Sequence, residues 1–181
     1  MNLATDVLFS DDKENMAGVK GVAFIGRVAS FQLLQTPVAN PTTYEARVTI
    51  ATAHTLNLNS ATIKCFSMYE KSGVESPMVG GRKSKSFKPK YKFFYPGTDA
   101  ACIGFLGEIK NSDLVAFIPQ MDEAGYIQIG SLDLAASIVA GSVKTGEGPE
   151  GEKGVMFEIE APCREAWFVY TAVLPRVRAG V

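Results

Sequence analysis

The stretch over residues 96–131 does most to limit the folds open to this chain, because it reads as one helix followed by a tight β-hairpin. Thr98 or Asp99 can cap the helix, and Cys102, Phe105, Leu106 and Ile109 recur at i, i+3, i+4 and i+7, giving a single apolar stripe. That stripe needs a sheet to cover. Gly104 and Gly107 cost about 1 kcal/mol each in helix propensity, so packing rather than propensity must hold the helix in place. Beyond it, residues 114–118 and 126–129 flank a turn over 122–125 that carries Asp122 and Gly125, which predicts a hairpin.

The rest of the chain supplies strands on both sides. Residues 19–34 are rich in Val, Ile and Phe, and Gly21 and Gly26 argue for one or two buried strands rather than a helix. Residues 44–51 alternate, with Tyr44, Ala46, Val48 and Ile50 against Glu45, Arg47 and Thr49, and predict a half-buried strand. Residues 61–69 form a further strand with apolar side chains on both faces, which predicts burial on both sides. Residues 71–86 read as a long loop. In 87–94, Phe87, Tyr91 and Phe93 alternate with Lys88, Lys90 and Lys92, so one face is aromatic and the other basic; Pro89, lacking an N–H, places this strand at an edge or a bulge. Strands are also expected from Ser137 onward, over 155–160 and over 167–173, with a polar Gly-rich loop at 144–154.

These elements define a mainly β chain, an antiparallel β-sandwich or partly open β-barrel with one flanking α-helix at about residues 98–110. At 181 residues it suits an arm over 1–17, acidic around Val7, Leu8 and Phe9, followed by one domain over 18–181. A formal net charge of −1 gives no global pull on nucleic acid or anionic lipid. Cys65, Cys102 and Cys163 are odd in number and set among apolar residues, as buried free thiols are. The start lacks the pattern of a secretory signal and no stretch is long enough to span a membrane, so synthesis in a reducing cytoplasm is expected.

No catalytic motif emerges. His54 is the single histidine, and its turn setting points to a structural or solvent role; no metal-ligand spacing and no cofactor motif is present. Residues 80–86, GGRKSKS, lack P-loop spacing. The pair Glu158 and Glu160 reads as solvated surface charge. The sharpest local signal is basic: Arg82, Lys83, Lys85, Lys88, Lys90 and Lys92 occur with no acid among them. Such a segment can grip single-stranded nucleic acid, form a solvated face, or meet an acidic surface on another copy or partner. The loop bearing Glu147, Glu150 and Glu152 is one acidic counterpart.

The order of elements carries a resemblance over residues 87–160. The basic aromatic strand, the turn and helix of YPGTDAACIGFLGEIKN, the hairpin LVAFIPQMDEAGYIQIGS, the loop TGEGPEGEKG and the strand VMFEIEA together resemble the tail tube (major tail) proteins of tailed bacteriophages. That resemblance implies a non-enzymatic structural subunit, six copies to a ring, with rings stacked into a tube whose inner wall is a sheet continued between copies. It also implies partners: sister copies, other tail proteins, and DNA that passes through the bore without sequence-specific binding. Such a subunit is made in the host cytoplasm and assembled into the virion tail. A bore that lets DNA slide should not hold it, so Arg82, Lys83, Lys85 and Lys88 are expected at a subunit or ring contact, with Glu147, Glu150 and Glu152 as self-assembly residues of opposite sign. Another phage component (decoration, connector or tail terminator) and a nucleic-acid-binding module are the alternatives.

Overall fold

The computed structural model describes residues 16–121 and 125–178. The first apolar run gives β1 (Val22–Arg27) and β2 (Phe31–Leu33), parted by a 3-10 turn at Val28–Ser30. Then come α1 (Tyr44–Val48), β3 (Thr49–Ile50), β4 (Thr55–Leu56), β5 (Ser60–Ala61), β6 (Ile63–Phe66), β7 (Gly73–Glu75), β8 (Met78–Val79), β9 (Ser86–Phe87) and β10 (Lys90–Tyr95). After α2 (Ala100–Ile109) follow β11 (Leu114–Pro119), β12 (Tyr126–Ile129), β13 (Ser137–Lys144), β14 (Gly154–Glu160), β15 (Phe168–Tyr170) and β16 (Val177–Arg178).

Two sheets stack as a sandwich, one in the order β3-β15-β12-β11-β1-β6 and the other in the order β13-β14-β10-β7. Every pairing within them is antiparallel except β15 with β3. The inner faces meet in one core: Ala23, Ile25, Leu114, Ala116, Ile118, Ile127 and Ile129 from the larger sheet, and Tyr91, Phe93, Val155, Phe157 and Ile159 from the smaller. Phe93 and Phe157 stack at 4.4 Å between ring centroids. The larger sheet is covered on its other face too, where Phe24, Val115, Phe117 and Tyr170 pack with Phe31, Leu34, Ile50, Leu56 and Leu174. This double burial explains why all six residues of β11 are apolar and buried.

The expected helix forms, and Cys102, Phe105, Leu106 and Ile109 pack on the inner core as their spacing requires. Its N-cap Asp99 makes no capping bond; the carboxylate accepts from the Tyr95 hydroxyl. The hairpin of β11 and β12 also forms, with Ile118 opposite Ile127; its turn residues 122–124 lie outside the described residues, as does the expected arm up to residue 15.

Several expectations need correction. Residues 44–48 are helical, because Thr43 Oγ1 accepts the Ala46 N–H at 3.1 Å and no sheet lies against Tyr44, Glu45 or Arg47, all exposed; a local cap outweighs alternation. The strand over 61–69 is not buried on both sides. Thr62 turns away to donate to Pro175 O, and β6 is an edge strand paired with β1 alone, leaving Ile63 and Phe66 exposed. Residues 71–86 are not one loop: β7–β8 and β9–β10 run as a single ribbon of constant register, Glu75 opposite Lys90 and Met78 opposite Phe87. Pro77 and Pro89 interrupt its ladder, since neither has an N–H to give. Pro89 therefore marks a gap in the ladder, while β10 itself is interior, between β14 and β7.

Candidate self-assembly surfaces

The strand directions sort the loops into two ends. β10 runs from Lys90 to Tyr95 antiparallel to β14, so Lys90, Glu160, Ser137 and Glu75 share one end of the smaller sheet and Tyr95, Gly154, Lys144 and Gly73 share the other. The larger sheet is aligned with it. Leu114 bridges to Ala136 at the first end, and the Met68 N–H donates to Phe94 O near the second.

At the first end the β8–β9 ribbon outruns the sheet, and its tip, residues 80–85, carries Arg82, Lys83 and Lys85. All three are exposed, and no ion pair among the described residues reaches them. Gly80 (φ +99°) and Lys83 (φ +69°) make the reversal in the left-handed region. At the second end the β13–β14 loop carries Glu147 and Glu150, both exposed. A six-residue strand separates the two ends by about 20 Å. Within one chain, the basic and acidic groups expected to meet are therefore held apart.

Two of the expected interface residues already have partners. Lys88 Nζ lies 2.5 Å from Glu160 Oε1, and Lys71 pairs with Glu152. Glu158 and Glu160 are not the solvated charges expected: their side chains are only 27% and 13% exposed, and Lys90 Nζ lies 3.5 Å from the first and 3.9 Å from the second. The register accounts for this, since the outward residues Lys90 and Lys92 of β10 stand opposite Glu160 and Glu158 of β14. The signal was present in the sequence as the matched i, i+2 spacing of KPKYK and EIE. A groove of about 680 Å³ crosses this outer face, lined by Lys71, Lys90, Lys92 and Lys144 together with Glu70, Glu75, Glu152 and Glu158 over a floor of Phe94 and Met156.

The sheet edges are the second element. Among the described residues, β13 spans eight residues and pairs on one side only, with β14, and β7 at the opposite edge pairs only with β10. A bulge at Val139 lets Ile138 stand opposite Ile159 and pack on the core, while Gly141, opposite Phe157, is exposed and Val139 and Val143 stay about half exposed. The strand expected from Ser137 onward forms, and the bulge is what breaks its alternation.

Groups with chemical potential are structurally engaged. His54 is buried and stacks on Tyr170 at 4.3 Å. Its Nδ1 accepts the Gln35 N–H at 2.9 Å, which fixes the neutral tautomer with Nε2–H donating to Gln128 Oε1, also at 2.9 Å. Burial holds its pKa below the usual histidine range, against the opposing effect of the Gln128 bond. Burial pushes the Cys65 thiol up to about 12 and raises Cys102 and Cys163 as well, so all three stay protonated and weakly nucleophilic at neutral pH. A second cleft, about 530 Å³, is walled by Pro37, Val38, Leu134 and Phe168 and rimmed by the Arg47–Glu165 pair at 2.6 Å. Among the described residues no group of three His, Cys, Asp or Glu is placed to hold a metal ion, and no helix is long and apolar enough to cross a membrane.

Comparison of the chain with protein-family models, with curated proteins and with solved structures finds no match.

Proposed function

We infer that this chain is a tail tube subunit, a virion structural protein that polymerises head to tail into stacked rings forming a conduit for DNA. The observation that carries the reading is the separation of charge between the two ends of the sandwich: Arg82, Lys83 and Lys85 at one, Glu147 and Glu150 at the other. Unlike patches at opposite ends of one molecule cannot satisfy each other within a two-fold dimer that buries a single patch. They match a heterologous contact, which repeats from copy to copy and builds rings or filaments. The two edges of the smaller sheet, each with one neighbour among the described residues, support the lateral half of the same reading, because a strand edge with one neighbour is a template for another chain. The sandwich with a flanking helix agrees with the fold that the resemblance over residues 87–160 implies.

The test is sedimentation velocity with negative-stain electron microscopy of the purified protein over a range of concentrations. Rings or tubes are expected, and the variant Arg82→Glu/Lys83→Glu/Lys85→Glu should stay as single subunits. Adding Glu147→Lys/Glu150→Lys to that variant should restore assembly. A wild-type protein that stays a single globule at the highest concentration, or a triple variant that assembles as wild type does, would overturn the reading. The uncompensated tip also favours a second reading, a nucleic-acid-binding module; DNA affinity that the same triple substitution abolishes, in a protein that does not assemble, would favour it instead.

A further inference from the structure

The outer face of the smaller sheet carries two charged columns side by side. Lys88, Lys90 and Lys92 project from β10 and the segment before it, and Glu158 and Glu160 project from β14. Lys88 is 2.5 Å from Glu160, and Lys90 reaches both carboxylates at 3.5 and 3.9 Å. Glu75 stands opposite Lys90 on the other side. Glu160 is far less exposed than Lys88, 13% against 46%, so this carboxylate sits in the sheet with the ammonium group above it. Lysines two apart on a strand repeat at about 6.6–6.8 Å, a regular row of cations along an open groove.

We propose that Glu158 and Glu160 act as built-in substitutes for phosphate: they occupy a lysine row that would otherwise hold a nucleic-acid backbone, and so keep this face from binding it. A phosphate approaching this face meets Lys88 and Lys90 already paired. It must displace a carboxylate fixed in the sheet, which cancels most of the gain from releasing counterions. The consequence is a surface that a polyanion can touch without being retained. This rests on the conduit reading for the reason that nucleic acid comes near; the chemistry belongs to the single subunit.

The experiment is fluorescence anisotropy of a labelled short DNA duplex of mixed sequence, titrated with the unassembled subunit at several salt concentrations. Wild type should bind weakly. The variant Glu158→Gln/Glu160→Gln should bind at least about tenfold tighter at low salt, with log Kobs falling against log salt at a slope steeper by up to about 1.8, for Lys88 and Lys90 at about 0.9 each. Adding Lys88→Gln/Lys90→Gln should remove the gain. Circular dichroism establishes that the variants are folded, and Glu160→Gln alone, which frees Lys88, serves as a milder form with an intermediate slope. No gain in either folded glutamine variant, or a gain that survives loss of Lys88 and Lys90, would overturn the proposal. Failure to form rings leaves this result unaffected, so the two readings fail separately.

Discussion

Replacing Gly104 and Gly107 together by Ala tests whether α2 is held by packing on one face alone. Both glycines lie in the interior of a ten-residue helix and on its exposed side, and a Cβ built on either meets no atom within 4 Å. No steric cost therefore opposes the gain in helix propensity, about 1 kcal/mol at each position. The pair should stabilise the subunit by about 2 kcal/mol, which for a chain of this length raises Tm by about 4–8 °C. The contrast is Gly26→Ala, where the new methyl would lie 2.8 Å from the Phe31 ring and 3.3 Å from Thr62 Cγ2; overpacking of this kind costs about 1–3 kcal/mol. Thermal unfolding followed by circular dichroism, at one low protein concentration, measures all three proteins. A double variant no more stable than wild type, or a Gly26→Ala protein that gains stability, would show that the described faces of α2 and β1 are wrong.

Two further outcomes follow from the cores. The unfolded chain protonates His54 near pH 6.5 and the folded chain only at lower pH, so the stability it contributes is present above pH 6.5 and lost as pH falls toward the folded value. Urea unfolding at pH 7.5 and 5.0 should show a steeper decline for wild type than for His54→Gln, by at most about 1.4 kcal/mol per pH unit, and equal slopes would refute the assignment of a neutral imidazole. Phe157→Ala, which removes the ring stacked on Phe93 between the two sheets, should cost about 3–5 kcal/mol in the same assay, whereas a loss near that of a surface residue would place Phe157 outside the core.

What could be read from the sequence was whatever a single local period determines. The stripe on α2, the β11–β12 hairpin and the inward residues of β14 depend on side chains of one segment meeting one surface, and their spacing states it. The misreadings arise where another part of the chain decides. Tyr44–Val48 alternates like a strand, but Thr43 caps it and no sheet lies alongside. The ribbon through β8 and β9 reads as a loop because Pro77, Pro89 and the glycines dominate its composition, while its pairing is set by register across the turn. The ion pairs of Lys88 and Lys90 with Glu158 and Glu160 join residues some seventy positions apart. Their candidacy as a basic patch was legible; their compensation required knowing that β10 and β14 are neighbours.

The pairing of β3 with β15 ties the end of the chain to its first third: the Thr171 N–H donates to Ile50 O at 3.1 Å, and Tyr170 closes the second core over Phe117 and His54. The chain must therefore be synthesised through Tyr170 before that core closes, and a contact so distant in sequence forms slowly. A copy ending before residue 168 lacks the Tyr170 ring that packs on Phe117 and His54, which leaves the apolar side chains of this core open to solvent. Closure of the second core thus waits on two short strands, neither of which can form that pairing alone.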